Sequence, residues 1–216
     1  MKPLVIFGCG DFAEIAHLYF EEAGREVAAF TMDAPDRTEL YGRPVVPFES
    51  AVSKYPASDF DLFVAIGYRR LNEGRAAVFH RCEALGYTLA SFISPRAFIH
   101  ATARIGRNVF VFEDNVVQPH VTLGDDVILW SGNHIGHHSV VDDHCFIASH
   151  AVISGRVTLG HHSFVGVNAT ITDHVTVGAH NLIGAGALIS GDTPEGAVYR
   201  QPAVKPSRVP SSRLLR

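Results

Sequence analysis

Histidine stands out among the residue types that can do chemistry: the chain has 13, and eleven fall between His100 and His180. Imidazole titrates near neutrality and ligates transition metals, so this clustering points to proton transfer, to metal, or to a repeat that reuses one residue type. The densest stretch, Trp130-Ser131-Gly132-Asn133-His134-Ile135-Gly136-His137-His138, places three histidines and an asparagine around one apolar position. His134, His137 and His138 are candidates for a general base and Asn133 for a polar partner; the alternative is a polar ladder along the fold. His144, His162 and His180 recur every 18 residues in line with Asn108 and Asp126, and read as turn residues of a repeat. His17 and His80 fall on N-terminal helical segments as surface or packing residues.

A second chemical motif opens the chain. Gly8-x-Gly10-x-x-Ala13 follows the apolar run Leu4-Val5-Ile6-Phe7 and leads into a helical pattern. Small residues at such a turn let backbone N–H groups and the helix N-terminus approach a phosphate. Asp33, after the second apolar run, could meet a ribose. A complete NAD site needs a larger doubly wound sheet than roughly 90 residues can build, so a nucleotide or nucleotide-sugar is the better fit. A tight turn without ligand is the alternative.

These residues must be positioned by two kinds of element. Up to Ser91, apolar runs at Leu4–Phe7, Val27–Phe30 and Phe60–Ile66 alternate with helical spacing over Glu14–Ala23 and Arg70–Leu85, each helix followed by glycine. Strands alternating with helices predict a parallel sheet, hence a small Rossmann-like α/β domain over residues 1–91. From Phe92 an Ile, Leu or Val returns at every sixth position from Ile93 to Ile189, seventeen times without a phase slip. Three hexads make one triangular coil, and the 18-residue period is visible in five copies of one corner, from Ile105-Gly106-Arg107-Asn108 to Val177-Gly178-Ala179-His180. The pattern predicts an all-β, left-handed parallel β-helix over residues 92–190, each coil burying its neighbours. Residues 191–216, with Pro194, Pro202, Pro206 and Pro210, are expected to be an irregular tail.

Charge and cysteine usage narrow the function classes. With 18 basic against 22 acidic side chains, a net charge of −4 and no basic run, nucleic acid and anionic membrane surfaces are disfavoured as partners. No stretch approaches the ~20 apolar residues of a membrane span. Cys9, Cys82 and Cys145 are far apart and show no CxxC spacing, so they read as isolated thiols in a reducing compartment, and the protein as cytoplasmic.

A small Gly-x-Gly-x-x-Ala α/β domain followed by an uninterrupted hexapeptide β-helix resembles the bacterial sugar acyltransferases related to sialic acid O-acetyltransferase. That group includes N-acetyltransferases of nucleotide-linked amino sugars, such as UDP-4-amino-sugar and GDP-perosamine enzymes. The resemblance implies a homotrimer with active sites between adjacent β-helices, acetyl-CoA as cosubstrate, a nucleotide-linked amino sugar as acceptor and no metal. It puts the catalytic base at His137, with His138 where relatives carry an acidic partner, so Asn133, Asp142 or Asp143 could orient the ring, or the base could be His138 or His134. It also assigns the sugar nucleotide to Gly8, Gly10, Asp11, Phe12, Asp33 and Gly67-Tyr68-Arg69, and CoA to backbone around Gly155, Val167 and Ala185. The family's Gly-x-Pro-Ala tail corresponds to Arg200-Gln201-Pro202-Ala203. O-acetylation of sialic acid or another sugar hydroxyl is the alternative, and a zinc-dependent trimer like the gamma-type carbonic anhydrases is a third reading.

Overall fold

The computed structural model describes residues 1–202, 206–209 and 211–213. The N-terminal unit is built from β1 (Leu4–Phe7), α1 (Asp11–Glu22), β2 (Val27–Met32), β3 (Glu39–Leu40), β4 (Arg43–Pro47), α2 (Phe48–Lys54), β5 (Asp61–Val64) and α3 (Glu73–Ala84). Its sheet has the order β3-β4-β2-β1-β5 and is parallel except for the β3–β4 hairpin. Leu4 to Phe7 are all buried, as a central strand covered on both faces requires.

Local conformation departs from the sequence expectation in two places. β3, β4 and α2 have no predicted counterpart, because Pro44 and Pro47 make that stretch read as a loop; a strand next to a two-residue edge partner tolerates them. Helix α3 starts at Glu73 rather than Arg70, since Arg70, Leu71 and Asn72 are all left-handed, with φ of 55°, 48° and 68°.

From Phe92 the chain winds into a left-handed triangular prism of two-residue strands, forming parallel sheets of seven, six and five strands. Strand pairs such as Val116↔His134 and Val117↔Ile135 are 18 residues apart, the predicted period. The hexad anchors from Val111 to Ile189 form the prism's interior together with small residues such as Val121, Cys145 and Ala151. Ile93, counted with the anchors, is instead 40% exposed, because no coil lies above it. The predicted tail also begins later: Thr193 bridges Val177, and Val198–Tyr199 pairs with Leu182–Ile183 as a last strand. Pro210 lies outside the described residues.

The turn geometry explains much of the histidine excess. From Asn108 to Gly186 one residue in each corner takes a left-handed conformation, which favours Asn, Asp, His and Gly. His120, His138, His144, His150, His162, His174 and His180 all hold it, with φ between 55° and 63°. Seven of the 13 histidines are thus placed by backbone geometry, and the expected corner role of His144, His162 and His180 is found.

The α/β unit is docked on the seven-stranded face by an aromatic stripe and a polar bolt. Outward residues of that face, Phe92, Phe110, Ile128 and Phe146, join Phe12, Phe20 and Phe63 in one buried cluster. Tyr19 Oη donates to Glu113 of the prism at 2.7 Å. Beside this, the fully buried Arg75 of α3 donates from Nε to Asp126 at 2.9 Å and from Nη2 to the carbonyls of Asp126 and His144. Asp126 also faces His144 Nδ1 at 2.9 Å and accepts from Asn108 Nδ2 at 2.7 Å, while Asn108 accepts from the Val64 backbone N–H. A buried carboxylate and guanidinium are tolerated because every side of the pair is hydrogen-bonded. Cys9, Cys82 and Cys145 are buried free thiols, as their spacing implied. Among the described residues, no helix is long and apolar enough to cross a membrane.

Candidate active site

A cleft of about 670 Å³ opens where the α/β unit meets the prism. One wall is the turn after β1: Gly8 has φ of 133° and a Cβ there would sit 2.6 Å from the Ala65 carbonyl oxygen, so only glycine lets the strand swing into α1. Gly10, Asp11 and Phe12 then present the N-terminus of a 12-residue helix to the cleft. The second wall is Gly67-Tyr68-Arg69, the loop after β5. Exposed backbone donors and Arg69 make this end suited to phosphate, because a helix N-terminus carries partial positive charge. Tyr68 packs edge-on at 4.9 Å from Phe146 and tilted at 4.8 Å from Phe164, an aromatic patch at the mouth.

The floor and far wall come from the prism's first corner, where the chain leaves the seven-stranded face: Trp130, Ala148, Ser149 and Val167. The sequence reading missed Trp130, Phe146, Ala148 and Ser149. Their signal is the residue before the anchor, aromatic at Phe92, Phe110, Phe146 and Phe164 in 18-residue steps; a solvent-facing stripe of phenylalanine needs a cover.

The predicted sugar-nucleotide residues therefore divide. Gly10, Asp11, Phe12, Gly67, Tyr68 and Arg69 share the cleft, and Gly8 shapes it from below. Asp33 does not line it; its carboxylate is 2.7 Å from Arg81 Nη2 on α3.

The catalytic candidates stand on the second corner, across the six-stranded face. His137 and His138 are exposed in one turn, with Nδ1 atoms 3.1 Å apart. His138 also packs tilted against His120 of the preceding coil, 4.7 Å between ring centroids. Desolvation first, then the neighbouring His120, Arg156 and His137, lower the His138 imidazole below its ordinary range. With His137 Nδ1–H as the donor across this contact, His137 Nε2 is the ring nitrogen left free. The His137 backbone is fixed by N–H donation to Gln118 Oε1 at 2.9 Å and by its carbonyl accepting from the Arg156 N–H at 2.9 Å.

Gly155 lies directly over this ring: a Cβ there would be 2.7 Å from His137 Cε1. Its own N–H has no acceptor among the described residues. Neither Asp142 nor Asp143 bonds His137; Asp143 accepts from the Asp125 N–H. Asn133 is buried in the prism, where its amide donates to Trp130 O at 2.5 Å and accepts from the Ala151 N–H. It belongs to an internal ladder with Asn115. His134 projects from the six-stranded face, half-buried between Val116 and Val152.

The CoA candidates divide as well. Val167 and Ala185 lie on the first corner and Gly155 on the second. Ala203 of the tail motif lies outside the described residues.

An α/β domain docked along a hexapeptide β-helix is the architecture of acyl-CoA-dependent sugar N-acetyltransferases, and the structural homology runs nearly end to end. Perosamine N-acetyltransferase from Caulobacter crescentus, solved as a histidine-to-asparagine variant with CoA and GDP-perosamine, superposes with a TM-score of 0.85 at 27% identity, over 92% of this chain and 93% of that one. The acetyltransferase domain of PglB from Neisseria gonorrhoeae, in complex with acetyl coenzyme A, gives 0.82 at 28% identity over 91% and 95%. WeeI from Acinetobacter baumannii shares the fold, with a TM-score of 0.79 at 19% identity over 92% and 96%. A model of the GMPPB C-terminal domain matches residues 88–185, most of the prism. No curated protein matches the chain.

Proposed function

We propose that the chain transfers an acetyl group from acetyl-CoA to the amino group of a nucleotide-linked amino-deoxy sugar. The observation that carries this reading is the cleft itself, with a phosphate-binding helix terminus and Arg69 at one end and a β-helix corner at the other. The likeness to proteins solved with CoA and GDP-perosamine, and with acetyl coenzyme A, supports both substrate classes.

In this reading the diphosphate lies against Gly10-Asp11-Phe12 and Arg69, and the nucleotide's flat ring against Tyr68. The sugar amine attacks the thioester carbonyl while His137 Nε2 takes its proton. The Gly155 N–H donates to the oxyanion, and CoA departs as thiol with that proton. His138 serves as the positioning partner of His137. Holding amine and thioester together supplies much of the rate, since no acyl-enzyme is formed.

The site is completed between copies. His137 and the cleft occupy different corners of one prism, on either side of the six-stranded face. That face carries exposed Phe98, Val116, Val152 and Leu188, an apolar strip suited to packing on a three-fold axis. With this face inward, the second corner of one copy meets the first corner of the next, bringing His137 and Gly155 to a neighbour's Val167 and cleft. The positions of the two half-sites support a homotrimer.

Thiol release from acetyl-CoA across UDP-, dTDP- and GDP-linked amino sugars and free sialic acid tests the reading. Turnover with a nucleotide-amino sugar is expected; turnover only with sialic acid or another hydroxyl acceptor overturns it in favour of O-acetylation.

A further inference from the structure

The prism's third corner, opposite the six-stranded face, carries a histidine cluster that acetyl transfer does not use. His161 and His162 are adjacent in one turn, and His180 holds the equivalent of position 162 one coil on. One ring nitrogen from each lies within 4.8 Å of the other two. The Nδ1 atoms of His161 and His162 are 3.0 Å apart, and the His162 and His180 rings stack at 4.8 Å between centroids. We propose that His161, His162 and His180 form a binding site for one divalent transition-metal ion of the zinc class, completed by water.

Backbone geometry accounts for two of these residues and not for the third. His162 and His180 fill left-handed corner positions, where the repeat favours histidine anyway. His161 does not: the same place holds Asp125 and Asp143 in earlier coils, where each carboxylate accepts a backbone N–H from the coil before it. In this coil a histidine replaces that cap and turns its ring to His162.

Nitrogens sharing a tetrahedral ion at 2.0–2.1 Å stand roughly 3.3 Å apart, so the His161–His162 pair is close to the required spacing. The half-exposed His180 ring closes the remaining distance by turning about its own side-chain torsions. A set of three imidazoles selects Zn²⁺, Ni²⁺ or Cu²⁺ over Mg²⁺ or Ca²⁺. The Asn72 amide donates to the His162 carbonyl at 3.3 Å, so the ion would tie two coils together at the foot of loop 67–72. Its role is structural, because the cluster lies on neither corner that flanks the proposed active site.

The test uses tag-free, chelator-stripped full-length protein titrated with Zn²⁺ by calorimetry and with Co²⁺ by absorption. One equivalent per chain is expected, with ligand-field bands for Co²⁺ and a melting temperature raised by about 2–4 °C at saturation. The His161→Gln/His180→Asn variant, checked for folding by circular dichroism, should bind about tenfold or more weakly, and chelation should leave acetyl transfer unchanged. Absence of saturable binding or equal binding by wild type and variant would overturn the site, and loss of transfer on chelation would overturn its structural role.

Discussion

At the scale of single residues, the proposed chemistry rests on the paired imidazoles of His137 and His138. Replacing His137 by Asn keeps the turn but removes the base, and kcat is expected to fall by about 10²–10⁴ with KM for either substrate little changed. A KM effect alone would move the base elsewhere. His138→Asp supplies an anionic partner, and Asp tolerates the left-handed φ of 60° at this position. A negative neighbour favours imidazolium, and the base must be unprotonated to act, so the acid limb of the kcat/KM profile should shift to higher pH in this variant. An unmoved profile would show that His138 does not address His137. Both residues were legible in sequence as a dense cluster. Their separation from Asn133 was not, because a one-residue difference in hexad phase decides whether a side chain enters the prism or leaves it.

At the scale of elements, the site depends on how loop 67–72 is anchored between sheet and prism. Arg75 reaches Asn72 Oδ1 at 3.0 Å while its Nε meets Asp126, so the same guanidinium holds loop 67–72 and the docking contact. Arg75→Met leaves Asp126 buried without its charge partner, and a loss of about 3–5 kcal/mol in denaturant unfolding is expected. Adding Asp126→Asn should recover part of it; a loss below about 1 kcal/mol would mean that the bolt does not hold the domains. Periodicity announced β1, β2, β5 and every coil, because anchor residues are dictated by the fold itself. The bolt stayed invisible: Arg75 and Asp126 are 51 residues apart, and a buried arginine looks in sequence like any helical surface charge.

At the scale of the whole molecule, the proposal puts half a site on each of corners one and two, with the exposed apolar face between them as the surface of assembly. Mixing His137→Asn protein with an inactive cleft variant such as Arg69→Ala, under conditions that exchange subunits, should restore about a quarter of wild-type activity, since random trimers pair an intact base with an intact cleft at that frequency. No recovery after demonstrated exchange would place both halves in one chain. The 18-residue period gave the prism, and the turn geometry has now absorbed most of the histidines that first suggested metal. What no single sequence displays is which corner of one copy faces which corner of another. The most direct test of the central claim is the rate of CoA release with a matched nucleotide-amino sugar, wild type against His137→Asn. Transfer to the sugar nitrogen that collapses in the variant is the predicted result; an amine acetylated equally well by both, or not at all by either, would contradict it.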